Sequence, residues 1–259
     1  MRDFIVRVLS TTEGSASITL FSAWHFLYIL VIVGATFVTA VLLKDKSERV
    51  KQKVLNGLAI ALPALYIADF FFMPLANADF TIDVDKLPFH ICTVMAFFVP
   101  LVQFNKRLTG IRSPVVCLSI VASLMYLTYP GTAIGDVLPW AYRVLQTFAY
   151  HGVMFAWGVL NLTTGRESLR YCRLWKELVF VLCMVVWASI GNAVYSHDNH
   201  IYDWFFVNGV TFPFVPEPLM PPAVVTAIFG MCFLICTIYN VAERLICKHR
   251  MLGEAHESV

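Results

Sequence analysis

The chain is 259 residues long, 59% hydrophobic and 14% charged, with a formal net charge of +2. A water-soluble domain carries roughly 25% charged residues, so this composition excludes an ordinary soluble globular protein and points to one membrane domain. No basic stripe interleaved with exposed aromatics is present, which excludes a nucleic-acid-binding module.

Taken in chain order, residues 2–10 place Phe4, Ile5, Val8 and Leu9 near one helical face. That pattern fits a short interfacial helix on the outer leaflet, and a plain tail is the alternative. Arg2, Asp3, Arg7 and Glu13 break the apolar run, so no cleavable leader is predicted. A spanning helix needs roughly 20 apolar residues. Runs of that kind predict spans at 22–43, 54–76, 87–104, 114–129, 139–162, 178–196 and 222–246. Pro88, Pro114, Pro139 and Pro222 fall near the starts of four of these spans. Proline is tolerated in a first turn, where its missing N–H has no intrahelical partner anyway. The one long loop, 197–221, carries Tyr202, Trp204, Phe205, Phe206, Phe212 and Phe214. It is expected to lie at the membrane interface, as a lid over an outward cavity or as a plain interfacial segment.

Charge sets the orientation. Fifteen of the nineteen Lys and Arg fall in alternate segments: Lys44, Lys46, Arg49, Lys51 and Lys53; Lys106, Arg107 and Arg112; Arg166, Arg170, Arg173 and Lys176; and Arg244, Lys248 and Arg250. The intervening segments hold only Lys86. Short basic loops stay on the cytoplasmic side. The expectation is an all-α, polytopic protein of seven transmembrane helices, N-terminus outside and C-terminus cytoplasmic, in one domain over residues 1–259. Seven cysteines are present, none in the loops opposite the basic segments, so no structural disulfide is predicted there. Cys172 and Cys247 sit where palmitoylation could occur.

Polar groups inside a span are costly and call for a reason. His25, Asp69, His90, Cys92, Arg143, Gln146, His151, Asn192 and Tyr195 fall in the outer halves of five spans. The inner half offers chiefly Asn56, Asn161, Asn240 and Glu243. On the fifth span Gln146 lies about 60° from Arg143 and His151 about 80° on the other side, one broad face. His90 and Cys92 are about 200° apart, so only one of them faces a given cavity. An outward-opening polar cavity follows if these faces converge. Bland roles remain for each: interfacial histidines wetted by water, an Arg143–Asp69 pair joining two helices, Cys92 as a small buried hydrophobe, Asn192 as interhelical glue.

Several chemistries fit this set. Cys92 with His151 is the pairing of a thiol nucleophile with its base, and Arg143 could hold a phosphate or an oxyanion. A metal held by His25, His90, His151 and Asp69 lacks any local HxxxH or HExxH spacing, and His197 with His200 is too sparse a pattern to name a site. No metal and no cofactor is therefore implied. A retinal opsin needs a Schiff-base Lys in the last span, and residues 222–246 contain none. A transporter needs access from both sides, against which the apolar inner half argues.

The segments Leu20–His25 (LFSAWH), Leu87–Thr93 (LPFHICT), Leu127–Gly131 (LTYPG) and Arg143–Gly152 (RVLQTFAYHG), followed by Asn192 and the aromatic loop, together resemble the YwaF-like family of bacterial integral membrane proteins. That family is distantly related to the animal transmembrane protein 164 family. The resemblance runs from Leu20 to the last span. It implies seven spans, a site between the third and fifth helices, and a bacterial inner-membrane location. The animal relatives are described as lipid acyltransferases using a Cys and a His, and they resemble transmembrane hydrolases of fatty-acid esters. His151 matches the fifth-helix His. The animal proteins carry their Cys immediately before the third-helix His, where this chain has Phe89, while Cys92 matches the bacterial LPxxxC pattern. Positions 89 and 92 lie about 60° apart and one turn displaced on a helix.

Two functions are thus expected. One is acyl transfer or acyl-ester hydrolysis on outer-leaflet lipids, with Cys92 as nucleophile, His151 as base, and His25, Asp69, His90, Arg143, Gln146 and Asn192 lining the site. The other is a non-enzymatic protein that binds or transports a small ligand or ion. Membrane lipids are the expected partners in the first case.

Overall fold

Ser22 opens the first helix by accepting the backbone N–H of His25 on its hydroxyl at 3.4 Å, satisfying one of the orphan donors of a helix start. The computed structural model describes residues 18–77, 84–131, 138–197, 201–206 and 215–257. Among these it holds seven α-helices: α1 Ala23–Leu43, α2 Glu48–Asn77, α3 Ile91–Phe104, α4 Arg112–Thr128, α5 Tyr142–Thr163, α6 Leu174–Tyr195 and α7 Met220–Glu257. The expected interfacial helix at 2–10 and the loop residues Phe212 and Phe214 lie outside the described residues.

Each predicted span corresponds to one helix, with revised ends. α2 begins at Glu48 rather than 54, because the charged turn before the apolar run is itself helical and braced by a Lys51–Glu48 contact of 2.9 Å. Pro114 and Pro222 do sit in first turns. Pro88 and Pro139 instead precede α3 and α5. Their carbonyls are used as anchors: Trp187 Nε1 donates to Pro88 at 2.7 Å, and the Tyr28 hydroxyl to Pro139 at 2.6 Å.

The chain connects these helices so that successive ones run in opposite directions. At one end, Arg166 meets Glu48 at 2.9 Å, Lys176 donates to the Gly110 carbonyl at 3.1 Å and Arg170 meets Glu243 at 3.4 Å. This is the basic end. At the other, here called the loop end, lie the Tyr28, Tyr66 and Trp187 anchors. α4 is the central helix, packed against α3, α5, α6 and α7 and buried almost all round, as a helix without a polar face should be. Small residues admit the close approaches. A Cβ at Gly158 of α5 would lie 2.7 Å from Ile120 Cγ1 of α4, and one at Gly191 of α6 would lie 2.5 Å from the Phe89 ring.

Among the described residues, five helical segments are long and apolar enough to cross a bilayer: Ala23–Leu43, Glu48–Phe72, Lys106–Thr128, Tyr171–Tyr195 and Met220–Cys247. Their outward faces carry large apolar side chains, among them Leu30, Phe37, Val186, Ile190, Leu234 and Ile238. Water does not tolerate so continuous an apolar surface. The chain is a multi-pass integral membrane protein. α3 is apolar but only 14 residues long, about 21 Å at the helical rise. α5 has the length, at 22 residues, but carries much of the polar chemistry.

Candidate functional site

His151 sits in the middle of α5, 5% exposed. Its Nδ1 is 2.8 Å from the Thr147 carbonyl one turn earlier. A carbonyl only accepts, so Nδ1 carries a proton and, in the neutral ring, Nε2 is a bare lone pair. That Nε2 is buried and has no hydrogen-bond partner. The ring is held flat against Tyr126 of α4, centroids 3.8 Å apart and 7° from parallel, with Tyr150 edge-on at 5.3 Å. A buried acceptor left unpaired is costly, and here the ring cannot turn away without losing its stack.

Tyr150 also connects α5 to α3: its hydroxyl donates to the Cys92 carbonyl at 2.6 Å. Cys92 is the second residue of α3, whose first turn has no side-chain cap, since the N-cap residue His90 makes no capping bond. A helix start of this kind offers donors to negative charge. Tyr150, the residue before His151 on α5, thus ties that helix to the Cys92 turn of α3.

Asp69 is buried and pairs with Lys86, not with Arg143 as one sequence reading had it: Lys86 Nζ lies 2.8 Å from Asp69 Oδ2. Lys86 comes from the 3-10 turn Val84–Lys86, fixed by the Tyr66 hydroxyl donating to its carbonyl at 2.6 Å. Asp69 Oδ1 has no partner. Arg143 makes no ion pair among the described residues. Gln146 ties α5 to α2 through the Leu65 carbonyl at 3.3 Å.

The remaining candidates are structural pins. His25 is fully buried. Its Nδ1 accepts the Phe21 N–H at 3.0 Å, and its Nε2 is 2.8 Å from the Leu127 carbonyl. Both nitrogens are used, joining α1 to the end of α4. Asn192 clamps the loop after α6, donating to the Trp204 carbonyl at 3.1 Å and accepting its N–H at 2.8 Å. His90 accepts the Phe205 N–H on Nδ1 at 3.3 Å. Trp204 and Phe205 are 1% and 2% exposed, so this part of the loop packs into the bundle instead of lying along the interface. Phe205 and Phe206 have φ of 66° and 56°. Non-glycine residues held there store about 1–3 kcal/mol each.

Of the residues expected to line an outward cavity, His25, Asp69, Gln146, His151 and Asn192 are all buried. A shallow apolar groove along α1, bounded by Ala23, Phe26, Leu27, Leu30 and Val33, touches none of them.

The basic end is richer than its sequence suggested. Arg112 Nη2 donates to Asn161 Oδ1 at 2.8 Å and to Gln103 Oε1 at 3.4 Å. Trp157 Nε1 reaches the same Gln103 oxygen at 3.2 Å, and Gln103 donates to Asn56 at 2.7 Å. Four helices are joined through this network. Beside it Glu177, 1% exposed, accepts the Ser113 hydroxyl at 2.5 Å. Arg112 counted only as a loop charge in the sequence; the 3-10 turn Lys106–Ile111 before it turns it inward. No group of three metal-ligating side chains forms among the described residues.

A family model described as the TMEM164 family matches residues 20–241. Neither a curated protein nor a solved structure matches the chain.

Proposed function

The chain belongs to the TMEM164 family, and from that premise we propose a seven-span membrane enzyme of the YwaF-like bacterial branch, N-terminus outside, that transfers or hydrolyses acyl chains of lipids in the outer leaflet. The observation that carries the reading is the unpartnered Nε2 of His151, set in its proton-accepting tautomer by Thr147 and one bridging tyrosine away from Cys92.

The chemistry follows from those atoms. His151 Nε2 takes the Cys92 thiol proton as the sulfur attacks an ester carbonyl. An S–C bond forms, the ester C–O bond breaks, and the departing alcohol oxygen takes the proton back from Nε2. The thioester then passes its acyl group to an acceptor hydroxyl, or to water, with Nε2 again receiving the proton and returning it to the sulfur. The uncapped amides at the start of α3 and the Lys86 ammonium supply donors and positive charge where negative charge develops.

A second reading has one observation in its favour. Polar side chains now occupy both ends of the bundle, the Arg112–Gln103–Asn56 network as well as the Asp69–Lys86 pair. That favours a protein that binds or moves a small ligand or ion.

Reaction with an acyl-type activity probe separates the two. Labelling of the wild type that disappears in Cys92→Ser and falls steeply in His151→Ala is the expected result. Labelling indifferent to both changes contradicts the enzyme and leaves binding or transport.

A further inference from the structure

The amide network at the basic end has donors left over and its acceptors taken. Asn56 Oδ1 accepts from both Gln52 Nε2 and Gln103 Nε2, each at 2.7 Å, which fills its two lone pairs. Gln103 Oε1 is filled likewise by Trp157 Nε1 and Arg112 Nη2. Asn161 Oδ1 takes Arg112 Nη2 as well. A guanidinium carries five N–H donors, and here only Nη2 finds acceptors. Nε is buried and has no hydrogen-bond partner. Nη1 and the Asn56 amide N–H groups meet no acceptor among the described residues. Arg112 also forms no ion pair among them. Glu177, held by the neighbouring Ser113, leaves it unpaired. Its charge therefore rests on neutral amides alone.

The wall behind the guanidinium is firm: Gln103, Trp157 and Asn161 are all buried. Arg112 and Asn56 are half-buried, so the network reaches the surface through them. The turn that leads directly into Arg112 carries exposed Lys106 and Arg107. A partly buried charge without a counter-charge is costly, and an oxyanion offsets that cost by accepting the unused N–H groups. Donors spread over two side chains suit an anion with several oxygens, and the planar guanidinium matches phosphate geometry.

We propose that Arg112, with Asn56 beside it in the network, binds a phosphate group at the basic end, carried by an anionic phospholipid of that leaflet or as free phosphate. This names a ligand class for the network that favours the binding reading, and it requires neither transport nor catalysis. The site lies at the opposite end of the bundle from Lys86 and Tyr66, so it stands or falls separately from the labelling of Cys92.

The test is methylglyoxal modification of arginines in the full-length protein in maltoside detergent, read residue by residue by peptide mass spectrometry. Chloride buffer is compared, at equal ionic strength, with inorganic phosphate and, separately, with added phosphatidylglycerol. Modification of Arg112 is expected to slow at least fivefold, while the exposed Arg49 and Arg173 change less than twofold. Protection by phosphatidylglycerol alone identifies a lipid headgroup as the ligand, and protection by inorganic phosphate identifies the free anion. Arg112 protected by neither, slowed only in step with Arg49 and Arg173, or unreactive even in chloride overturns the proposal. Native mass spectrometry adds a second measurement on the ligand that protects. Arg112→Gln is expected to weaken its retention at least tenfold, and Lys46→Ala, an exposed charge at the same end, less than twofold. Equal losses in the two variants overturn the site in favour of surface charge. If Arg112→Gln does not fold, protection in the wild type decides alone.

Discussion

Replacing His151 by Phe is expected to lower lipid-ester turnover at least about 100-fold, the lower range for loss of a general base, while leaving the unfolding midpoint almost unchanged. Phenylalanine keeps the flat stack on Tyr126 and the edge contact with Tyr150. What it removes is the bare Nε2. The bond from Nδ1 to Thr147 is also lost, but that carbonyl remains in the helix and keeps its backbone partner. A matched measurement of turnover and thermal unfolding separates chemistry from folding. If turnover and stability fall together, His151 is a packing residue. The same exchange at His25 is expected to act the other way, on stability, because both of its nitrogens bind backbone groups of separate segments.

At the basic end, Asn161→Ala is expected to cost about 3 kcal/mol of stability, the sum of a charge-assisted and a neutral hydrogen bond. Asn161 is fully buried. It accepts from Arg112 and donates to the Trp157 carbonyl at 2.8 Å. Its own carbonyl receives the N–H groups of both Arg166 and Glu167 as the chain leaves α5. Truncation leaves the Arg112 guanidinium short of its nearest acceptor in a half-buried place, which is more costly than never having buried it. Chemical denaturation in detergent, with Lys53→Ala as an exposed control, measures the difference. A loss under about 0.5 kcal/mol, the size of a neutral surface substitution, would mean the network is incidental.

The helices were legible because each apolar run is bounded by charge or proline, and hydropathy needs no knowledge of neighbours. Their ends were less so. Glu48–Lys53 reads as a loop by charge yet is helical, and Pro88 reads as a first-turn proline yet serves as an anchor for Trp187. The polar residues were legible as a set but not by role. His25 and His151 look alike in sequence: each is a histidine among apolar residues at similar depth. Only the fold distinguishes them, because the partners that occupy His25, Phe21 and Leu127, include one 102 positions away, while Nε2 of His151 meets nothing. Asn192 is a pin for the same reason, its amide being taken by Trp204 twelve positions on. Two signals were present and unused. Tyr150 directly precedes His151, and an aromatic hydroxyl in a span must find an acceptor. Lys86 is the one Lys or Arg in the inter-helix segments that alternate with the basic loops, and a carboxylate in a neighbouring span is its natural partner.

The most direct measurement is to incubate the purified protein with a lipid ester, quench at low pH and locate any acyl mass by peptide mass spectrometry. A thioester on Cys92 in the wild type, and none in His151→Phe, is the result expected of a thiol nucleophile served by the free nitrogen of His151. Turnover of the ester with Cys92 never acylated, or an equal Cys92 adduct without His151, contradicts it.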